Sequence, residues 1–134
     1  MKISVKKSIH RPICERDDNE PWARVTDVLL DSEKTRVVAV IAATESLVPL
    51  KTPIPIDSIF EWDASLLRAR RGEREELEYP APVSCADEVF RLKSAGGSRI
   101  LDICFEPLGG SIVSVTVGRL FDRKQINIIS RLKI

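Results

Sequence analysis

Residues 24–42 are matched, without a gap, by residues 99–117 seventy-five positions later. The first stretch reads Arg-Val-Thr-Asp-Val-Leu-Leu-Asp, four turn-like residues, then Arg-Val-Val-Ala-Val-Ile. The second reads Arg-Ile-Leu-Asp-Ile-Cys-Phe-Glu, a Pro-Leu-Gly-Gly turn, then Ser-Ile-Val-Ser-Val-Thr. Arg24/Arg99, Asp27/Asp102, Val38/Val113 and Val40/Val115 are identical, and Val25/Ile100, Val28/Ile103, Leu30/Phe105 and Val37/Ile112 are conservative. An internal repeat constrains architecture before any single residue does. Here it implies one β-hairpin unit used twice.

The residue types around the repeat extend this reading. Val, Ile, Thr and Leu dominate both arms of each hairpin, as a pleated, half-buried surface favours. The spacing predicts strands over 22–31 and 36–43, joined by a short turn at 32–35 that makes them antiparallel neighbours. The second hairpin is predicted over 98–106 and 111–117. Gly109-Gly110 supplies positive φ there, where the first copy has Lys34-Thr35. Ile3, Val5 and Ile9 suggest one face of a first strand. Residues 15–21 form a polar turn ended by Pro21, and 44–52 a loop containing Pro49. Pro53 and Pro55 each remove a backbone donor, so 53–59 belongs at a sheet edge or corner. Residues 60–67 fit either a short helix or a strand.

From Arg68 to Pro82 the chain changes character. Arg-Ala-Arg-Arg-Gly-Glu-Arg-Glu-Glu-Leu-Glu is almost wholly charged, and Tyr79-Pro-Ala-Pro follows. Such segments are linkers or exposed loops. The expected organisation is a first repeat over 1–67, a charged linker over 68–82 and a second repeat over 83–134. Within the second repeat, 89–92 reads as a strand, 94–97 as a tight turn, 118–124 as a loop and 125–134 as the last strand. Units of this size bury a modest share of their surface. The two are therefore expected to pack on each other, or the chain to form a homodimer.

The segment Arg24-Val-Thr-Asp-Val-Leu-Leu-Asp through Val40, followed by Ile54-Pro-Ile-Asp-Ser-Ile, resembles the PRC-barrel family. Ile100-Leu-Asp-Ile-Cys-Phe-Glu with Ile112-Val-Ser-Val is similar to a more divergent member. Ala23 and Ser98 stand where the family usually has a glycine, and the second copy lacks the Ile-Pro pair. The resemblance implies an all-β protein of two small PRC-barrel-like β-barrels packed with pseudo-two-fold symmetry. It also implies a docking or adaptor module rather than an enzyme. The family occurs in the cytoplasmic domain of the reaction-centre H subunit and the C-terminal domain of a ribosome-maturation factor. It has no shared catalytic residues to carry over.

Composition narrows the function classes. The chain has 134 residues, 43% hydrophobic and 31% charged, with formal net charge +1. That balance argues against a dedicated nucleic-acid binder, which shows a strongly basic face. Cys14, Cys85 and Cys104 lack CxxC spacing, which suits reduced thiols and a cytoplasmic setting. No signal-peptide pattern or run long enough to span a membrane is present in the sequence.

Asp27 and Asp102, at the same point of two hairpins, are expected to accept backbone hydrogen bonds or pair with Arg24 or Arg99. The alternative is a shared metal or proton site. His10 and Cys14 lie close in sequence, but a catalytic pair needs proximity in space and an orienting acid. The sequence has no phosphate-binding glycine loop, zinc-protease motif or calcium loop, so no cofactor, metal or catalytic residue is assigned. Arg68, Arg70, Arg71 and Arg74 invite an RNA- or DNA-binding alternative. Glu73, Glu75, Glu76 and Glu78 offset them, and aromatics for base stacking are only 5% of the chain. The expected function is recognition of another protein. Trp22, Trp62 and Tyr79, with Arg68, Arg70 and Arg71, are the candidate contacts, because aromatics and arginine are enriched at binding hot spots.

Overall fold

The structure is a computed structural model that describes residues 1–63, 65–70, 84–92, 98–119 and 122–127, the last six and Arg119 as backbone only. The hairpins form where the repeat predicts them. Strand β3 (Ala23–Leu30) pairs antiparallel with β4 (Val37–Thr44), and β9 (Arg99–Phe105) with β10 (Ile112–Arg119). Their registers correspond position by position. Leu30 faces Val37 as Phe105 faces Ile112, and Asp27 faces Ile41 as Asp102 faces Thr116. Each pair has two register shifts, at corresponding places.

The remaining elements complete two open sheets. Before the first hairpin come β1 (Ile3–Ser4), a one-turn helix α1 (Val5–Ser8) and β2 (Pro12–Cys14). After it come β5 (Lys51–Pro55), a 3-10 turn (Ile56–Ser58), β6 (Ile59–Trp62) and β7 (Leu67–Ala69). Before the second hairpin lie β8 (Ser84–Cys85) and helix α2 (Ala86–Arg91), and β11 (Asp122–Asn127) follows it. One sheet has the order β5-β4-β3-β2-β7-β6, with β8 also on β3. The other has the order β1-β9-β10-β11. Among the described residues neither closes into a barrel. Strand β5 is an edge, as its two prolines require.

The two short arms cross. Strand β1, which precedes the first hairpin, pairs with β9 of the second, Ile3 with Phe105 and Ser4 with Cys104. Strand β8, which precedes the second hairpin, pairs with β3 of the first, Cys85 with Leu29 and Ser84 with Leu30. The hairpins also meet at their turns. Arg36 and Ser111 form an antiparallel bridge. Val37 N–H donates to Gly110 O at 2.7 Å, and Ile112 N–H to Thr35 O at 3.0 Å.

One apolar cluster unites both sheets. Val25, Val28, Leu30 and Val37 of the first hairpin join Ile103, Phe105 and Ile112 of the second. Trp62 sits edge-on to Phe105, with ring centroids 5.4 Å apart and planes at 78°. Each such side chain contributes about 1.5–3 kcal/mol on leaving water.

Several expectations are corrected. Residues 89–92 are not a strand: Ala86, Val89 and Phe90 recur at helical spacing, Asp87 and Glu88 occupy the first turn, and Arg91 pairs with Asp87 at 2.8 Å. Val5 belongs to α1, whose Ser4 cap accepts from Lys7 N–H at 3.2 Å. Residues 59–62 and 67–69 are strands, so Arg68 and Ala69 belong to β7 rather than to the linker. Residues 118–124 are not a loop: β10 runs to Arg119 and β11 starts at Asp122. The turn at 94–97, most of the linker and residues 128–134 lie outside the described residues.

Gly109 and Gly110 have φ of 83° and 81°, and Lys34 reaches 57° in the first copy. Asp31 supports that strained first turn by accepting from Thr35 N–H at 2.7 Å and Thr35 Oγ1 at 2.9 Å. A Cβ on Gly109 meets nothing, whereas one on Gly110 would lie 2.0 Å from Val37 O. Gly109→Ala should therefore cost about 1–2 kcal/mol of stability. Gly110→Ala should cost at least about 3 kcal/mol, because backbone of the other hairpin must also move. Equilibrium urea unfolding of the two variants measures this difference.

Candidate functional site

The repeated aspartates receive the crossing arms. At Asp102, Oδ1 accepts from Ile103 N–H at 2.8 Å and from Lys6 N–H at 3.0 Å, while Oδ2 accepts from the Ser4 hydroxyl. At Asp27, Oδ1 accepts from Val28 N–H at 2.7 Å and from Asp87 N–H at 3.3 Å, and the Cys85 thiol donates to the same carboxylate. Each carboxylate thus serves a register shift in its own strand and the first turn of the arriving helix. Free N–H groups at a helix start favour a negative partner. The two aspartates therefore accept backbone hydrogen bonds, the first of the two expectations, and each serves a separate arm rather than Arg24 or Arg99. Arg24 instead pairs with Glu45 at 2.5 Å. Among the described residues no group of three or more His, Cys, Asp or Glu side chains is arranged to hold a metal.

His10 and Cys14 are not brought together. Cys14 is buried in β2, while His10 is exposed on the turn before it, with φ 73°. Cys85 and Cys104 are half-buried, so Cys104 is not a full core residue. Desolvation, and then the negative field of Asp27, push the Cys85 thiol above the ordinary cysteine range.

The expected contact residues are mostly committed elsewhere. Trp22 packs on the core and donates its indole N–H to Ala69 O at 3.2 Å. Trp62 is buried against Phe105, and its indole N–H has no partner among the described residues. The Arg68 guanidinium pairs with Glu61 at 3.2 Å, donates to Glu15 O at 2.8 Å and to Asn19 Oδ1 at 2.8 Å. It clamps the 15–19 loop. Arg70 is exposed and lines an open groove of about 540 Å³ with Glu15, Arg16, Asp17, Asp18 and Phe60. There the Arg16 guanidinium lies 4.8 Å from the centroid of the Phe60 ring. Tyr79 and Arg71 lie outside the described residues.

The surface feature that sequence reasoning missed is the tip between β4 and β5. Leu47 is fully exposed at 105%, Val48 is 77% exposed and Leu50 46%. Hydrogen bonds hold the tip in shape: Thr44 N–H donates to Leu50 O at 3.0 Å, Leu50 N–H to Thr44 Oγ1 at 2.9 Å, and Ser46 Oγ to Val48 O at 2.7 Å. Leu47 and Pro49 border a shallow groove with His10, Arg24, Thr26 and Glu45. Its sequence signal is the run Leu-Val-Pro-Leu at 47–50, within a loop. Consecutive apolar residues at exposed positions cost solubility unless they serve a contact.

No family model matches this chain, and no curated protein sequence matches it.

The Cys85 environment is testable. A thiol with a raised folded-state pKa favours the folded state below its ordinary value. That advantage is lost as the pH climbs through the raised value. Asp27→Asn removes a negative neighbour, so Cys85 should be alkylated faster at mildly alkaline pH than in the parent. Rates by mass spectrometry, with Cys104 as internal control, check this. The same substitution keeps an acceptor for Val28 and Asp87, whereas Asp27→Ala should cost about 1–3 kcal/mol in urea unfolding.

Proposed function

We propose that this chain is a non-enzymatic, protein-binding adaptor that presents the β4–β5 tip to an apolar depression on its partner. The observation that carries this reading is the tip: three large apolar side chains stand in water on a hydrogen-bonded loop. Such a surface stabilises a complex by leaving water, and its bonded loop loses little conformational freedom on binding. The paired prolines of β5 lie beside it and discourage strand addition, so recognition there rests on side chains.

The same reading takes the chain as two PRC-barrel-like units related by a pseudo-two-fold axis. The matched registers, the matched aspartate contacts and the reciprocal bonds about Arg36 and Ser111 support it. A cytoplasmic setting goes with this reading and suits three free cysteines. Among the described residues no helix is long and apolar enough to cross a membrane. The nucleic-acid alternative is less well supported, because the Arg68 guanidinium is spent on Glu61 and the 15–19 loop.

Affinity capture from source lysate, with and without nuclease, tests the reading. A nuclease-resistant partner should be retained by the parent chain and reduced at least about tenfold by Leu47→Asp with Val48→Asp, since hot-spot losses exceed about 1.4 kcal/mol. Both side chains are in water, so thermal unfolding of the double variant should match the parent. Equal capture by parent and variant, or capture abolished by nuclease, refutes the tip.

A further inference from the structure

We propose that a second copy of this chain is a binding partner, and that two copies associate by exchanging the β1–α1 arm. This inference is independent of what the β4–β5 tip binds.

The arm is held like a ligand. Its strand pairs with β9, its Ser4 hydroxyl and Lys6 N–H both donate to Asp102, and Val5 and Ser8 are fully buried. Lys6 Nζ lies 4.8 Å from the centroid of the Phe90 ring of α2. All of these partners are more than eighty residues further along the chain. The segment that follows the arm, β2, is instead fixed to β3 and β7. Only Ile9, His10 and Arg11 join the arm to that body.

The second arm makes the reciprocal arrangement, with Ser84–Arg91 docked on β3 through Asp27. The docking chemistry is thus already a contact between separate segments of chain. Any second copy offers the same β9 groove and the same Asp102. Exchange keeps every arm contact and changes only the hinge.

The hinge carries the strain that exchange relieves. His10 adopts φ 73°, and Arg11 N–H closes the turn by donating to Ser8 O at 3.1 Å. Val25 holds the hinge from the body side, donating its N–H to Arg11 O at 3.0 Å and accepting from His10 N–H at 2.8 Å, so exchange must release the second of these bonds. A residue that avoids the left-handed region should extend this turn and send the arm to a neighbour. Glycine should keep it closed.

The experiment uses the full chain. Ser4 and Cys104 are cross-strand partners, at a separation a disulfide tolerates. Ser4→Cys, with Cys85→Ser to remove a competing thiol, is oxidised over a range of concentrations and run on a non-reducing gel. We expect a covalent dimer whose fraction grows with concentration. The dimer constant should rise about tenfold in His10→Val and fall in His10→Gly, as the left-handed penalty for a residue with a side chain implies. Intrachain crosslinking alone at every concentration overturns the proposal. A dimer formed equally without the Ser4 substitution also overturns it. Light scattering of the unaltered chain reports without crosslinking and without reliance on the folding of any variant. Monomeric mass at every concentration overturns the proposal as well.

Discussion

A carboxylate at a register shift is the constraint on which the rest of this structure depends. Asp27 and Asp102 sit where their strands slip by one residue against β4 and β10, and each bonds the N–H of the residue after it. That leaves the carboxylate aimed at the incoming arm, whose helix start supplies N–H donors. Burying such groups unpaired would cost more than the bonds themselves return. The arms therefore dock only in one register. Val5 and Ala86 are thereby sunk in the core, and α1 and α2 are positioned over β9 and β3. The crossing of the arms then makes the two hairpins a single packed body, with Phe105 and Trp62 at the joint.

The hairpins were legible because period-two alternation with β-branched residues leaves little choice once a turn is marked. The doubled copy reinforced every position, and the edge placement of β5 followed from the missing donors of Pro53 and Pro55. The short helices were not legible. A four-residue helix offers one turn, and Ile3, Val5 and Ile9 fit a strand pattern equally well until the Ser4 cap is seen. In α2 the apolar pair Val89-Phe90 suggested a strand. The acidic first turn and basic last turn that decide the matter carry only tenths of a kcal/mol each. Arm crossing leaves no local trace in a sequence, since it is a choice between two identical-looking strands.

The candidate surface was legible only in part. Tryptophan and arginine are enriched at interfaces, but they also fill cores and clamp loops. Trp22 on Ala69 O, Trp62 on Phe105 and Arg68 on the 15–19 loop show these uses. Which use applies depends on what the fold places opposite the side chain, and that is a tertiary matter. The aspartates are legible as acceptors of backbone hydrogen bonds, but their donors come from arms whose placement is tertiary and has no local signature. The apolar tip lies in a segment that Pro49 marks as a loop, and loop propensity does not say whether Leu47 and Val48 face water.

The crossed arms also set an order of events during synthesis. Ser4 and Asp102 are 98 residues apart in the chain. At about 5–20 residues per second, the first arm waits roughly 5–20 s for its groove to emerge from the ribosome. The β3–β4 hairpin needs nothing beyond Thr44 for its own pairing and can form while the arm is still unplaced. The second arm, by contrast, is made directly onto a finished β3. The arm made first is therefore among the last pieces to find its place. For those seconds its buried-to-be Ile3 and Val5 face the crowded surroundings of a growing chain.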